Sequence, residues 1–208
     1  MRIVLATHNP GKVREFRHAL RGLPVRLIPA SKFPRIPEVV ENGRTLEANA
    51  LKKAVTLAKA TGLPAVADDT GLEVEALKGK PGVKSARYAG PACRPIDNIK
   101  KLLRQMKNLP PAKRRARFRC VIAYVEPFDS AQGRPGRKKL IEGRCEGRIA
   151  ETASGRKGFG YDPVFVPRGS EKTFAQMSVA EKDRFSHRGK ALRRFTKTPE
   201  IDGSVKGA

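Results

Sequence analysis

The chain opens on an apolar run, Ile3-Val4-Leu5-Ala6, that ends in the polar turn Thr7-His8-Asn9-Pro10-Gly11-Lys12. A short run of Ile, Val and Leu bounded by turn residues predicts a buried strand. Beyond the turn, Val13, Phe16 and Leu20 recur at i, i+3 and i+7, the spacing of one helix face. Asn9 before Pro10 suits an N-cap followed by the first helical position. Residues 25–28 predict a second short strand, and Pro34 and Pro37 keep residues 31–42 irregular. Thr45 then caps a helix with Leu46, Ala50, Ala54 and Leu57 on one face, stopped by Gly62 and Pro64.

Ala65-Val66-Ala67 predicts a short strand that delivers Asp68-Asp69-Thr70-Gly71 at its end, and Leu72, Val74 and Ala76 alternate with Glu73 and Glu75 as a half-exposed strand. Residues 79–94 are rich in Gly and Pro and read as loop. Ile96, Ile99, Leu102, Leu103 and Met106 fit another helix. Phe118, Cys120, Ile122 and Tyr124 alternate with Arg119, Val121, Ala123 and Val125, a strand with one strongly apolar and one mixed face. Residues 126–139 look like an expanded hairpin loop; the part from 130 to 137 has no apolar periodicity and reads as a solvated insertion without chemistry. Residues 140–149 supply the returning strand, and 164–166 a further short one. Ser178-Val179-Ala180-Glu181 is a capping box, and Ser186 starts another helical segment with Ala191, Leu192 and Phe195 inward. Little apolar content follows residue 198. Crossover helices together with a long hairpin predict an α/β domain with a mixed central sheet flanked by helices, spanning 1–197, with 126–139 as an insertion and 198–208 as a frayed tail.

Composition narrows the function classes. At 208 residues the chain is one ordinary domain, or one domain with a small lobe, large enough to bury a core without disulfides or a structural metal. Cysteines at 93, 120 and 145 are odd in number and share no ligand spacing, which argues against a disulfide framework or a zinc site and for a reducing, cytoplasmic setting. The apolar runs are too short for a transmembrane helix, and the N-terminal one too short for a signal peptide. Lys plus Arg number 44 and Asp plus Glu 20, a net charge of +24. That charge attracts any polyanion, nucleic acids and nucleoside triphosphates alike; it gives the sign of a partner and not its identity. A basic nucleic-acid-binding module finds its best support in residues 98–125, which hold nine basic and no acidic residues, but these lack interleaved aromatics until Phe118.

Four constellations carry candidate chemistry. A strand ending in Thr7-His8-Asn9-Pro10-Gly11-Lys12 and opening a helix presents backbone N–H groups at a positive dipole end, with Lys12 adding a full charge: a phosphate cradle, though without Walker A spacing. A helix start capped by Asn9 would have the same pattern. Asp68 and Asp69 are adjacent carboxylates with no basic neighbour in sequence, a pair normally held by a cation; with triphosphate oxygens they would form a Mg²⁺ site that Glu41 or Glu38 could complete. A solvated Asp-Asp-x-Gly turn is the plainer alternative. Gly158-Phe159-Gly160-Tyr161-Asp162-Pro163 makes a loop able to stack on a flat ring and bond its edge, and taken alone it reads equally as an aromatic turn packed on the core. Ser186-His187-Arg188-Gly189, with Lys182 one turn before, supplies donors for an anion or a carbonyl oxygen.

These elements, with Glu41-Asn42-Gly43-x-Thr45 leading to Asn49 and Lys53, and Ser85-Ala86-Arg87-Tyr88-Ala89-Gly90, occur in an order that resembles the inosine triphosphate pyrophosphatase family. The resemblance implies an elongated two-lobed α/β fold with the active-site cleft between lobes, usually a homodimer. It implies Mg²⁺-dependent hydrolysis of ITP, dITP and XTP to the monophosphate and pyrophosphate, clearing deaminated purines from the nucleotide pool. Carried over by residue, it puts the metal on Glu41 and Asp69 with Asp68 beside them, and the general base on Asp69. Lys12, Lys53 and Lys182 are then expected at phosphates, Thr70 near the substrate, Phe159 stacked on the purine, and Gly160, Tyr161 and Asp162 shaping the pocket. His187 and Arg188 present donors that suit O6 of hypoxanthine or xanthine and mismatch N6 of adenine. A pyrophosphatase of the related Maf type, with another base preference, is the rival within enzymes.

Overall fold

β1 (Arg2–Leu5) has a parallel neighbour on each side, β2 (Arg26–Pro29) and β3 (Ala65–Val74). A strand flanked on both edges and covered on both faces carries apolar residues at successive positions, and Ile3, Val4 and Leu5 are fully buried. The computed structural model describes residues 1–92, 94–127 and 135–203. The part of the insertion from 128 to 134, the Cys93 thiol and the end of the tail from 204 lie outside them.

Two helices connect the parallel strands. α1 (Pro10–Ala19) starts where expected: Asn9 is its N-cap and Pro10 its first residue. α2 (Leu46–Thr61) is capped by the Thr45 hydroxyl, which accepts from Ala48 N, and ends at Gly62 in the left-handed region, φ 65°. Leu46, Ala50, Ala54, Leu57 and Ala58 are its buried face. Each buried leucine contributes about 2 kcal/mol of apolar transfer, and the alanines bring the helix backbone close to what it packs on.

The strand order is β2-β1-β3-β5-β6-β7, with β4 (Pro81–Gly82) paired to β3. β5 (Arg115–Val125) and β6 (Lys138–Ile149) form the long hairpin. Glu126 N donates to Arg137 O at 2.9 Å and Ile149 N to Arg114 O at 2.9 Å, a constant-sum register that makes the pair antiparallel. β3–β4 and β6–β7 (β7, Phe165–Pro167) are antiparallel too. The sheet is therefore mixed, as the pattern predicts.

The chain divides into two units. The first comprises Met1–Asp69, Val121–Glu142 and Ala191–Ala208, and its buried residues include Ile3, Leu5, Phe16, Val66, Ile122, Leu192 and Phe195. The second comprises Thr70–Cys120 and Gly143–Lys190 and is built on one apolar cluster that includes Leu72, Leu102, Met106, Phe118, Phe165 and Phe174. Arg114 anchors this second core. Its buried guanidinium donates to the carbonyls of Ile149 (2.8 Å), Met106 (2.7 Å), Leu109 (3.4 Å) and Ala150 (2.9 Å), tying the end of α3 (Pro95–Gln105) to β5 and β6.

Several elements differ from the sequence reading. β3 runs unbroken through Asp68-Asp69-Thr70-Gly71 rather than ending before it. Ile96 is 54% exposed although it continues the i+3 spacing of α3, because each three-residue step drifts about 60° around a helix and two steps carry it off the face of Leu102. The mixed face of β5 is buried beyond Cys120. Residues expected to fray instead form α6 (Pro199–Asp202), with Ile201 buried. α4 (Val179–Phe185) and α5 (His187–Phe195) start at the expected caps, Ser178 and Ser186. Among the described residues no helix is long and apolar enough to cross a membrane.

Candidate active site

In the first unit the site is assembled around the ammonium of Lys53. Lys53 projects from α2 and is 8% exposed. Its Nζ lies 2.5 Å from Glu41 Oε1 and 2.7 Å from the carbonyl oxygen of Asp68. Burial alone would lower the pKa of this lysine; the charges of Asp68, Asp69 and Glu41 outweigh it, and the net shift is upward. Lys53 therefore stays charged. Lys12, from the first turn of α1, places its Nζ 3.0 Å from Asp68 Oδ1. Asp69 Oδ2 accepts from Asn49 Nδ2 at 3.0 Å. These partners explain why β3 continues through an Asp-Asp-Thr-Gly sequence that favours turns: the polar side chains are satisfied in extended backbone by cations and an amide from elsewhere in the unit.

Asp69 differs from an ordinary surface carboxylate. Burial pushes its pKa up, Glu41 adds to that, and Lys53, Lys12 and the Asn49 bond pull it back without cancelling the rise. The net shift is upward, the direction that makes a carboxylate a better proton acceptor.

The first turn is a capped helix start. Thr7 Oγ1 accepts from Asn9 N at 3.2 Å, and Asn9 Oδ1 accepts from Gly11 N at 2.9 Å and Lys12 N at 3.3 Å. The backbone donors expected to be open for phosphate are thus bonded to Asn9, and Lys12 is the cation this turn brings to the carboxylates. His8 and Pro10 are exposed and Gly11 is buried.

The second unit holds the remaining candidates. Asp162, buried, accepts at Oδ2 from Phe159 N (2.8 Å) and from Lys182 Nζ (2.6 Å). Gly158 stands at φ 78°, and a Cβ there would collide with Asp162 Oδ2, so the loop needs glycine on both counts. Lys182 Nζ is 4.9 Å and Arg188 Cζ 5.5 Å from the centroid of the half-buried Phe159 ring. Arg188, also buried, donates to Thr70 Oγ1 at 3.0 Å. His187 stacks on Phe118 with centroids 4.5 Å apart and 19° between planes. Tyr161 donates its hydroxyl to Ser85 O at 2.9 Å, which holds the Gly158–Pro163 turn against the 85–87 turn; Gly160, at φ 61°, has no atom close to where a Cβ would stand. Sequence reasoning gave no role to Asn49 or Arg114; the signal for Asn49 was an amide one turn before Lys53 in the first turns of α2.

Glu41, Asp68 and Asp69 offer the hard oxygen donors a divalent cation takes, and the Glu41 charge adds to the rise that burial gives the Asp69 pKa, a repulsion a cation would relieve. In kind the donor set fits. Glu41 and Asp68 are each paired with a lysine, and among the described residues no three His, Cys, Asp or Glu side chains converge as metal ligands.

Known proteins resemble this chain along nearly its whole length. It is 48% identical over 193 residues to the dITP/XTP pyrophosphatase of Thioalkalivibrio sulfidiphilus, covering 93% of this chain and 95% of that one. It is 42% identical over 199 residues to the dITP/XTP pyrophosphatase of Bacillus subtilis, covering 95% and 96%. Among solved structures, a HAM1 protein from Coxiella burnetii superposes with a TM-score of 0.84 at 40% identity, covering 94% of this chain and 96% of that one. A profile of the Ham1 family matches residues 3–198, and with relatives this similar over this length the chain belongs to the Ham1 family.

Proposed function

We propose that the protein hydrolyses deaminated purine nucleoside triphosphates (ITP, dITP and XTP) to the nucleoside monophosphate and pyrophosphate. The observation that carries the reading is the gathering of Glu41, Asp68 and Asp69 around buried Lys53, with Lys12 beside Asp68. It is supported by the activity named for the relatives.

In this reading Asp69, its pKa raised, accepts the proton of a water whose oxygen attacks the α-phosphorus. The new O–Pα bond forms as the bond from Pα to the bridging oxygen breaks, and pyrophosphate leaves with that electron pair. Lys12 and Lys53 neutralise phosphate oxygens. Phe159 stacks on the purine, and His187 and Arg188 donate to O6; adenine, with a donor at that position, leaves them unmatched. Asp162 keeps the Phe159 loop and Lys182 in place. Magnesium is the metal we propose, held by Glu41 and Asp69 with Asp68 beside them; when bound it supplies charge for the triphosphate and lowers the pKa of water. The reading includes a homodimeric, cytoplasmic enzyme.

The test is product analysis with dITP, XTP, dATP, dGTP, UTP and dTTP, each with Mg²⁺ and with EDTA. Deoxyinosine monophosphate from dITP and xanthosine monophosphate from XTP, each with pyrophosphate, are expected, only with Mg²⁺. Orthophosphate as first product, or a preference for pyrimidines, overturns the reading. Light scattering of the purified protein checks the dimer.

A further inference from the structure

We propose that Asn49 is the positioning residue of this site: it fixes the Glu41 loop and the Asp69 carboxylate in one arrangement without touching substrate. The inference rests on the pyrophosphatase reading and deepens it.

The irregular segment before α2 carries Glu41 and exposes Val40 by 69%, so it has little packing of its own to hold it. Side chains from one face of α2, at positions 49, 52 and 53, restrain it. Lys52 Nζ bonds Val40 O and Asn42 Oδ1, both at 2.9 Å, from the exposed side. Lys53 bonds Glu41 itself. Asn49 Oδ1 accepts from Gly43 N at 2.8 Å, while its Nδ2 donates to Asp69 Oδ2 at 3.0 Å. Asn49 is 1% exposed, so neither bond can be exchanged for one to water.

The two ends of this amide differ chemically, and the site uses the difference. A carboxylate requires a donor and a backbone N–H requires an acceptor, so only one orientation of Asn49 satisfies both. Asp at this position would set a second carboxylate against Asp69, and an aliphatic residue would satisfy neither. Position 43 is matched to it: a Cβ on Gly43 would stand 2.6 Å from Asn49 Oδ1. Lys53 alone would hold Glu41 near β3, but as a freely rotating ammonium it does not fix which way the Asp69 carboxylate is turned. Asn49 does. A misplacement of about 1 Å at a reacting group can cost about 10²-fold in rate.

The experiment is a double-mutant cycle with dITP and Mg²⁺ on wild type, Asn49→Leu, Asp69→Asn and the double variant, with Asn49→Ser as a smaller replacement and melting curves for all. For Asn49→Leu or Asn49→Ser we expect kcat to fall about 10- to 100-fold with KM within about threefold of wild type. In the Asp69→Asn background the same change is expected to lower kcat by less than about twofold, because the carboxylate it orients is gone. Gly43→Ala is expected to reproduce the kcat loss in part. Multiplicative losses in the double variant, or a raised KM with unchanged kcat in folded protein, overturn the inference and leave the reading standing. Absence of dITP and XTP turnover in wild type overturns the reading, and the inference with it.

Discussion

Lys53 Nζ stands 2.5 Å from Glu41 Oε1, and the two side chains differ in exposure, 10% for the lysine and 31% for the glutamate. The burden of charge therefore falls on the lysine. Lys53→Met leaves Asp68, Asp69 and Glu41 facing one another with their shared cation removed. We expect a loss of about 3 kcal/mol, a fall in Tm of about 6–12 °C for a chain of this size. Glu41→Gln, at the more exposed end, is expected to cost less than half as much. Thermal melts of both variants in the same buffer check the order; equal losses would mean that Lys53 is not the common partner.

Gly158→Ala meets two obstacles at once, a positive φ and the Asp162 carboxylate. The loop has to move, and with it the Phe159 amide and the ring that Lys182 and Arg188 face. The expected result is a loss of at least about 1 kcal/mol in stability and a larger proportional loss in kcat/KM for dITP. A variant with wild-type kinetics would show that this loop takes no part in binding the base.

Arg114 is bonded only to carbonyl oxygens. Arg114→Met fills the space but strands those acceptors in a dry interior, and we expect a loss of about 3 kcal/mol. Arg114→Lys is expected to recover little of it, since a single ammonium does not span the carbonyls of Met106 and of Ala150. Urea unfolding curves compare the variants, and full recovery by lysine would remove the geometric argument.

Glu181 closes the capping box of α4, and its pKa is lowered to about 2, first by the bond from the Ser178 backbone N–H, then by the Ser178 hydroxyl and Lys172. A carboxyl whose pKa is depressed in the folded state contributes stability above its unfolded value near 4.5, and that contribution disappears as pH falls from there toward 2. The Tm difference between wild type and Glu181→Ala is therefore expected to be constant from pH 7 to about 5 and to shrink steadily below. A difference that stays the same down to pH 3 would assign the effect to helix propensity instead.

What the sequence disclosed follows from which interactions are local. Asn9, Thr45 and Ser178 cap helices through bonds to residues two or three positions away, so pattern alone placed α1, α2 and α4. The mixed sheet followed from the crossover helices and the long hairpin. The course of β3 was not legible, because Asp68 and Asp69 are held in extended backbone by distant partners that include Lys12, Lys53 and Asn49, which are 56, 15 and 20 residues away. The same holds for Arg114, whose partners at 149 and 150 lie far along the chain. Of the site, the candidate residues were legible as motifs; which of them meet was not. The N–H groups of the first turn, read as open to phosphate, belong to Asn9, and the amide that joins Glu41's loop to Asp69 went without a role.

The restraint of the loop by positions 49, 52 and 53 makes α2 a ruler. One residue inserted between Thr45 and Asn49 shifts the frame of every later side chain against the loop by about 100°, and no rotamer change restores it. Residues 33–39 carry no such measure, so lengthening the chain there alters only how far it travels before the ruler begins. Tolerance of insertions in this protein is thus expected to switch from permissive to forbidding within a few positions of Glu41.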